Sequence, residues 1–361
     1  FGINTRRGRS NKQMGAIYNG ISKNFNSVFK DETDDLIREN IGFLAQYSEL
    51  VKFIKNLGYE NLTSNSFKLL NNGEEKFPEL LQTLNTAEAY IHMEYYAWEN
   101  DTRGNQIKDI LLEKAKQGVK IRLIYDAYAS RKIKRNIVKE LKAAGIDIHP
   151  ILKVKLIRFA NRINHRDHRK IAIIDGHVGF LGGINLSDRY DNSIDTGLYW
   201  RDTHLKITGP SVMNLQRHFI VSWNACQTEQ LVLNKVLPIK EPKAPNTDIK
   251  GLSQIIAGGP IYDMSNIMLS YARLFSLARE KLYITNPYFI PNETFLDTLR
   301  QVAKSGVDVR ILLPKISDSR LVGAASKYYF KELLLAGVKI YQYEKASNLE
   351  RSSYRRNRRL V

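Results

Sequence analysis

The chain has 361 residues, 43% hydrophobic and 25% charged, with 55 Lys+Arg against 37 Asp+Glu and a formal net charge of +18. That composition excludes a disordered, collagen-like or coiled-coil chain, and the length suggests two globular units rather than one small core. The single cysteine, Cys226, excludes an intramolecular disulfide and a cysteine-built metal centre, which fits a reducing compartment.

Residues 1–60 read as a helical, polar, juxtamembrane-like segment. The sequence opens on Phe1 rather than Met, so the true start is expected upstream, where any signal or membrane segment would also lie. Within the chain no run reaches the roughly 20 apolar residues of a spanning helix. From Phe77 a pattern of alternating helices and strands begins. A helix to Glu88 leads to the strand Tyr90–Tyr96, a helix Ile107–Lys116, the strand Val119–Asp126, and a further helix before Ile146–Ile148. The same order recurs as helix Ile267–Arg279, strand Lys281–Thr285, loop Asn286–Pro291, helix Phe295–Lys304, strand Val307–Leu313, a final helix ending at Gly337 and strand Val338–Tyr341. Gly118 matches Gly306 and Gly145 matches Gly337 as helix-ending glycines. "AKQGVKIRLIYD" beside "AKSGVDVRILLP" carries the kinship, which predicts a duplicated α/β unit with sheets covered by helices. The expected divisions are a first unit over 61–236, a Pro/Lys-rich linker over 237–250 and a second unit over 251–361.

The positive charge is clustered. Between Arg131 and Lys170 stand 13 Lys/Arg, opposed only by Glu140, Asp147 and Asp167, with further patches at Arg6–Lys12 and Arg351–Arg359. Such a surface suits an anionic partner, and an anionic bilayer rewards each nearby cation by about 1 kcal/mol.

One segment concentrates chemistry. Asn164 to Asn185 contains HxKxxxxD (His168, Lys170, Asp175) followed by GGxN (Gly182, Gly183, Asn185). The alternation after Lys170 reads as a strand that turns at Gly176 and returns as a hairpin. Period two puts His168 and Lys170 on one face, while Asp175 lies an odd number of residues from both and reads as a partner that shapes the hairpin. An imidazole beside an ammonium and an amide suits a phosphodiester. The lysine neutralises the non-bridging oxygens, and the histidine attacks phosphorus or protonates a leaving alkoxide. Gly182 and Gly183 allow close backbone approach to a ligand. His165 and Glu94 are further candidates to line the pocket.

The segment resembles the HKD motif of the phospholipase D superfamily, and the chain is similar to bacterial cardiolipin synthases from about Asn71 to Glu344. The strings that carry the resemblance include "NNGEEKFPELL", "IHMEYYAWEND", "NHRDHRKIAIIDG", "GFLGGINLSDRY", "YWRDTHLKITGP" and "TNPYFIP". The resemblance implies a ping-pong phosphatidyl transfer through a phosphohistidine, without metal or cofactor. One phosphatidylglycerol donates, a second accepts, and the products are cardiolipin and glycerol at an anionic bacterial inner membrane, on its cytoplasmic face. Carried over, His168 is the nucleophile, Lys170 and Asn185 hold the phosphate, and Asp202 orients the imidazole. Nucleic acid is not an expected partner; the alternatives are a related phosphodiesterase or nuclease, or a catalytically dead lipid-binding module.

The sequence departs from the family in its second half. All seven histidines, from His92 to His218, precede residue 219, and where a second HKD motif would follow "GVKIYQYEK" the chain reads "ASNLERSSYRRNRRLV". The expectation is a second copy cut short by truncation or frame shift, and an impaired enzyme. A homodimer joining two copies of His168 is the alternative.

Overall fold

The computed structural model describes residues 18–22, 25, 29–58, 60–151, 167–197, 199–226, 230–236, 248–258, 265–315 and 320–344. Three short helices, α1 (Thr33–Glu39), α2 (Ile41–Leu44) and α3 (Ser48–Gly58), precede the first strand and pack Ile37, Leu44 and Val51 against Leu62. No helix among the described residues is long and apolar enough to cross a membrane.

A large mixed sheet follows. Its strands are β1 (Thr63–Asn71), β2 (Tyr90–Tyr95), β3 (Lys120–Asp126), β4 (Asp147–Ile151), β5 (Lys170–Ile174), β6 (Val178–Gly182), β7 (Thr203–Thr208) and β8 (Ile249–Ser253). They lie in the order β4-β3-β2-β5-β6-β7-β1-β8. The strands β2, β3 and β4 run parallel, and β5 pairs antiparallel to β2. The expected linker therefore ends inside this sheet, because β8 pairs antiparallel with β1.

Helices cover both faces. On one side lie α4 (Asn72–Asn85), α5 (Thr102–Lys116) and α6 (Ile137–Ala143), packing Phe77, Leu80, Ile107, Leu111 and Leu141 against Ile91, Met93, Leu123 and Ala172. On the other lies α7 (Ser211–Cys226), packing Val212, Leu215 and Phe219 against Ile171, Ile173 and Ile207. Period two explains how β5 serves both cores: Ala172 and Ile174 face one, Ile171 and Ile173 the other. Helix α5 starts where Asp101 accepts from the Gly104 N–H at 3.0 Å and Asp188 accepts from the N–H groups of Thr102 and Arg103.

The second half repeats part of this plan. Its helices are α8 (Asn266–Ser276), α9 (Glu293–Lys304), α10 (Arg320–Tyr328) and α11 (Phe330–Ala336), and its strands are β9 (Lys281–Thr285), β10 (Asp308–Pro314) and β11 (Lys339–Tyr343). The order β11-β10-β9, all parallel, matches β4-β3-β2. The four helix-ending glycines adopt φ of 88°, 78°, 90° and 98° at Gly118, Gly145, Gly306 and Gly337, a region that only glycine enters without strain. The loop after β9 buries Phe289 and leaves Tyr288 and Ile290 exposed.

Candidate active site

The hairpin that carries the motif forms as the Asp-Gly turn predicts. Strand β5 pairs antiparallel with β6, and the turn holds Asp175 at φ 51° and Gly176 at φ 74°. Asp175 is almost fully buried, and its carboxylate accepts from the backbone N–H groups of Glu88, Ala89 and Tyr90 at 2.8, 2.9 and 2.8 Å. It ties the hairpin turn to the start of β2 and offsets its own left-handed strain. Grouped with His168 and Lys170 by sequence, it stands at the far end of β5 from them.

His168 and Lys170 come together at the opposite end of β5. Lys170 opens the strand, and His168 stands just before it, exposed to solvent. The Lys170 ammonium donates to the His168 carbonyl at 2.7 Å and to its Nδ1 at 3.2 Å. Tyr96 packs on both: its ring centroid lies 4.7 Å from that of His168 and 5.2 Å from Lys170 Nζ. Lys170 is buried, and burial pushes its pKa down to about 8 against the pull of Asp167 and Asp202. Desolvation and the neighbouring Lys170 charge lower the His168 pKa, while Asp167, Asp202 and Asp126 oppose them. At neutral pH the exposed imidazole is therefore neutral, and its Nδ1 lone pair faces the Lys170 ammonium.

The GGxN loop closes the site from the β6–β7 side. Asn185 is buried; its Oδ1 accepts from the Ala97 N–H at 3.1 Å, and its Nδ2 donates to the Tyr190 hydroxyl at 2.7 Å. The two glycines are explained by their protein neighbours. A Cβ at Gly182 would collide with the His204 ring, and one at Gly183 with the Asp202 carboxylate. Asp202 accepts from the Thr203 N–H at 2.7 Å and from Trp200 Nε1 at 3.4 Å. Among the described residues no hydrogen bond joins it to His168, and it acts on His168 and Lys170 through its charge. Gly183→Ala is expected to cost roughly 1–3 kcal/mol of overpacking by displacing Asp202, read as a lower denaturation midpoint.

Glu94 does not join this pocket. Along β2, Met93 and Tyr95 face the α4–α6 core, so Glu94 points to the α7 side, where it is fully buried and pairs with Arg169 at 3.1 Å. Asp167 contributes to the same cluster, so neither Asp167 nor Asp175 converges with His168 on a common ligand. His165 lies outside the described residues, as do both terminal basic patches and residues 152–166 of the central one. Arg131, Lys132, Lys134, Arg135, Lys139 and Lys142 are exposed, whereas Arg169 and Lys170 are spent inside the fold and leave that surface.

Two groups behind the site were not singled out by sequence. Lys76 on α4 is fully buried, with its ammonium 3.5 Å from the Asn185 carbonyl and 4.1 Å from the Phe77 ring centroid. His204 faces Gly182 across the β6–β7 ladder, and its Nε2 has no partner among the described residues. Burial, with Lys76 and Lys170 nearby, holds the His204 imidazole well below its usual pKa. Strand register places His204, which β6 sets opposite Gly182, whereas Lys76 arrives by the packing of α4, its ammonium 5.2 Å from the centroid of the Tyr95 ring that pairs with Lys170.

Comparison with known proteins agrees with this geometry. A family profile described as "Cardiolipin synthase, PLD-like domain" matches residues 80–219 and 271–355. The chain is similar to the cardiolipin synthase of Geobacillus kaustophilus, 43% identical over 277 residues that cover 77% of this chain and 55% of that protein. It is also similar to cardiolipin synthase 2 of Bacillus cereus, 40% identical over 297 residues that cover 82% of this chain and 57% of that protein. The chain thus spans somewhat over half the length of these relatives. The solved phosphatidylserine synthase of Haemophilus influenzae shares the fold, with a TM-score of 0.56 at 14% identity, covering 82% of this chain and 78% of that one. With its motif hairpin, its repeated βαβ plan and a profile spanning both halves, the chain belongs to the cardiolipin synthase family of phospholipase D-like proteins.

Proposed function

We propose that this chain carries out the phosphatidyl transfer of a cardiolipin synthase, with His168 as the nucleophile. The observation that carries the reading is the convergence of an exposed neutral imidazole and a buried ammonium at 3.2 Å. Lys170 donates to His168 itself. A phosphodiester entering there offers non-bridging oxygens to the ammonium and frees the ring. The imidazole then attacks phosphorus, a P–N bond forms and the P–O bond to glycerol breaks. The leaving alkoxide takes a proton and departs as glycerol. A hydroxyl of a second phosphatidylglycerol then attacks phosphorus and gives up its proton to solvent, the P–N bond breaks to restore the neutral imidazole, and cardiolipin forms.

The leaving alkoxide needs an acid, and the family supplies a second histidine for it. No histidine follows His218 in these 361 residues, so this stretch does not itself supply that second histidine. General acid catalysis contributes about 10²–10⁴-fold, which sets the scale of what such an acid adds. The exposed cations from Arg131 to Lys142 support an anionic bilayer, the inner membrane of a bacterium on its cytoplasmic side, as the working surface.

The test offers the full chain phosphatidylglycerol vesicles and, separately, supercoiled plasmid. Glycerol release with the vesicles and an intact plasmid is the expected result; nicking of the plasmid without glycerol release overturns the reading. The second-order rate constant of glycerol release should fall as pH rises through about 8, where Lys170 loses its proton. It should also fall on the acid side, with a midpoint below the ordinary imidazole value because the His168 pKa is lowered.

A further inference from the structure

His168 is flanked by Asp167 and Arg169, and both neighbours turn to the opposite side of the sheet. There they meet Glu94, which is fully buried on β2. Arg169 Nη1 donates to Glu94 Oε1 at 3.1 Å and to Ser222 Oγ at 2.6 Å, and lies 3.8 Å from Asp167 Oδ1. The other two oxygens, Glu94 Oε2 and Asp167 Oδ2, are buried with no donor among the described residues. Two carboxylates thus stand together against one guanidinium.

We propose that Glu94 and Asp167 share a single proton between Oε2 and Oδ2, and that this neutral cluster with Arg169 clamps the peptide that presents His168. One proton satisfies both orphaned oxygens at once and brings the cluster to zero net charge, whereas two ionised carboxylates would leave a negative charge in the core. Among the described residues the surroundings offer no other compensation. From α7 come Ser222 and His218, with Arg217 and Glu60 behind, and these two bond to each other at 2.5 Å. Further along the same face, His92 is kept neutral by burial, its pKa pushed down to about 3, and it lies 3.2 Å from Arg122. Desolvation and the adjacent Asp167 raise the Glu94 pKa well above the carboxylate range, in the same direction. The clamp is completed by the Tyr96 N–H, which donates to the Arg169 carbonyl at 2.9 Å and so holds the other side of His168 to the end of β2. Glu94 and Asp167 are positioning residues, since neither reaches the pocket.

The clamp as a positioning device rests on His168 being the nucleophile; the shared proton does not. Both are tested on the full chain with Asp167→Asn, Glu94→Gln and the double variant. In either single variant the new amide donates to the remaining carboxylate and one charge still balances Arg169. In the double variant Arg169 is left without a counter-charge. The expected result is two singles that melt close to the parent at neutral pH and a double that loses many degrees. The parent's folded carboxyl pKa is raised, so its stability is full below the carboxylate range and declines as pH climbs through the raised value. That decline should vanish in both singles. In ¹⁵N-histidine spectra the His168 resonance, assigned with His168→Gln, should hold its place in the singles and move in the double. Singles that each melt far below the parent, or that follow the parent's pH dependence, overturn the shared proton. A His168 resonance unmoved in the double overturns the clamp. None of these readouts requires turnover, so an inactive parent would count against the proposed function alone.

Discussion

His168→Ala is expected to abolish glycerol release from phosphatidylglycerol vesicles, a loss on the order of 10⁴-fold or more. Among the described residues no other imidazole is hydrogen-bonded to Lys170. His204 is buried behind Gly182, His92 is buried on the α7 side, and His218 is locked onto Glu60 at 3.1 Å. The variant should keep its fold, because His168 is exposed and its ring fills no core. Lys170 would keep its bond to the backbone carbonyl of residue 168, a bond that needs no imidazole. Lipid affinity, measured by vesicle co-sedimentation, should therefore persist while turnover vanishes. Equal turnover in parent and variant would remove His168 from the chemistry, whereas no turnover in either, with vesicle affinity unchanged, would leave the chain as a lipid-binding module.

The second large effect concerns stability. Asp175→Ala is expected to lower the unfolding free energy by about 3 kcal/mol, read as a lower urea midpoint with an unchanged slope. Three backbone donors at the start of β2 would lose their acceptor inside the protein. Residue 175 would also be held at φ 51° without the contacts that offset the strain there. Asp175→Asn should cost less, because its side chain retains one acceptor oxygen. Loss of glycerol release at full stability in either variant would contradict this role and return Asp175 to the reacting groups.

These two residues also mark what the sequence makes readable. The Asp-Gly turn, the matched glycines and the continuous apolar run of β5 are local signals, and local signals survive without a structure. They place His168 and Lys170 together and predict the repeated βαβ plan. Asp175 can be separated from the reacting pair by strand parity alone. Glu94 could not be placed in the same way, because its role depends on which strand lies beside β2. Only the antiparallel pairing with β5 brings it against Arg169. The same holds for His204 and Lys76, which reach the site by register and by helix packing across long sequence separations. Charge counting misled at Arg169 and Lys170 for a related reason. A run of cations looks like a surface until burial shows that two of its members are held inside the fold. The pairing of β8 with β1 was hidden likewise, since a short strand after a Pro/Lys-rich stretch carries no local mark of the sheet it joins.

The central claim is that one imidazole becomes covalently attached to a lipid phosphate. It is tested most directly by incubating the full chain with phosphatidylglycerol labelled in its phosphate, quenching in alkali and mapping the adduct by mass spectrometry. The account predicts an acid-labile, alkali-stable adduct on His168 that is absent from His168→Ala. Consumption of the lipid with no label on the protein, or with label on any other residue, would contradict it.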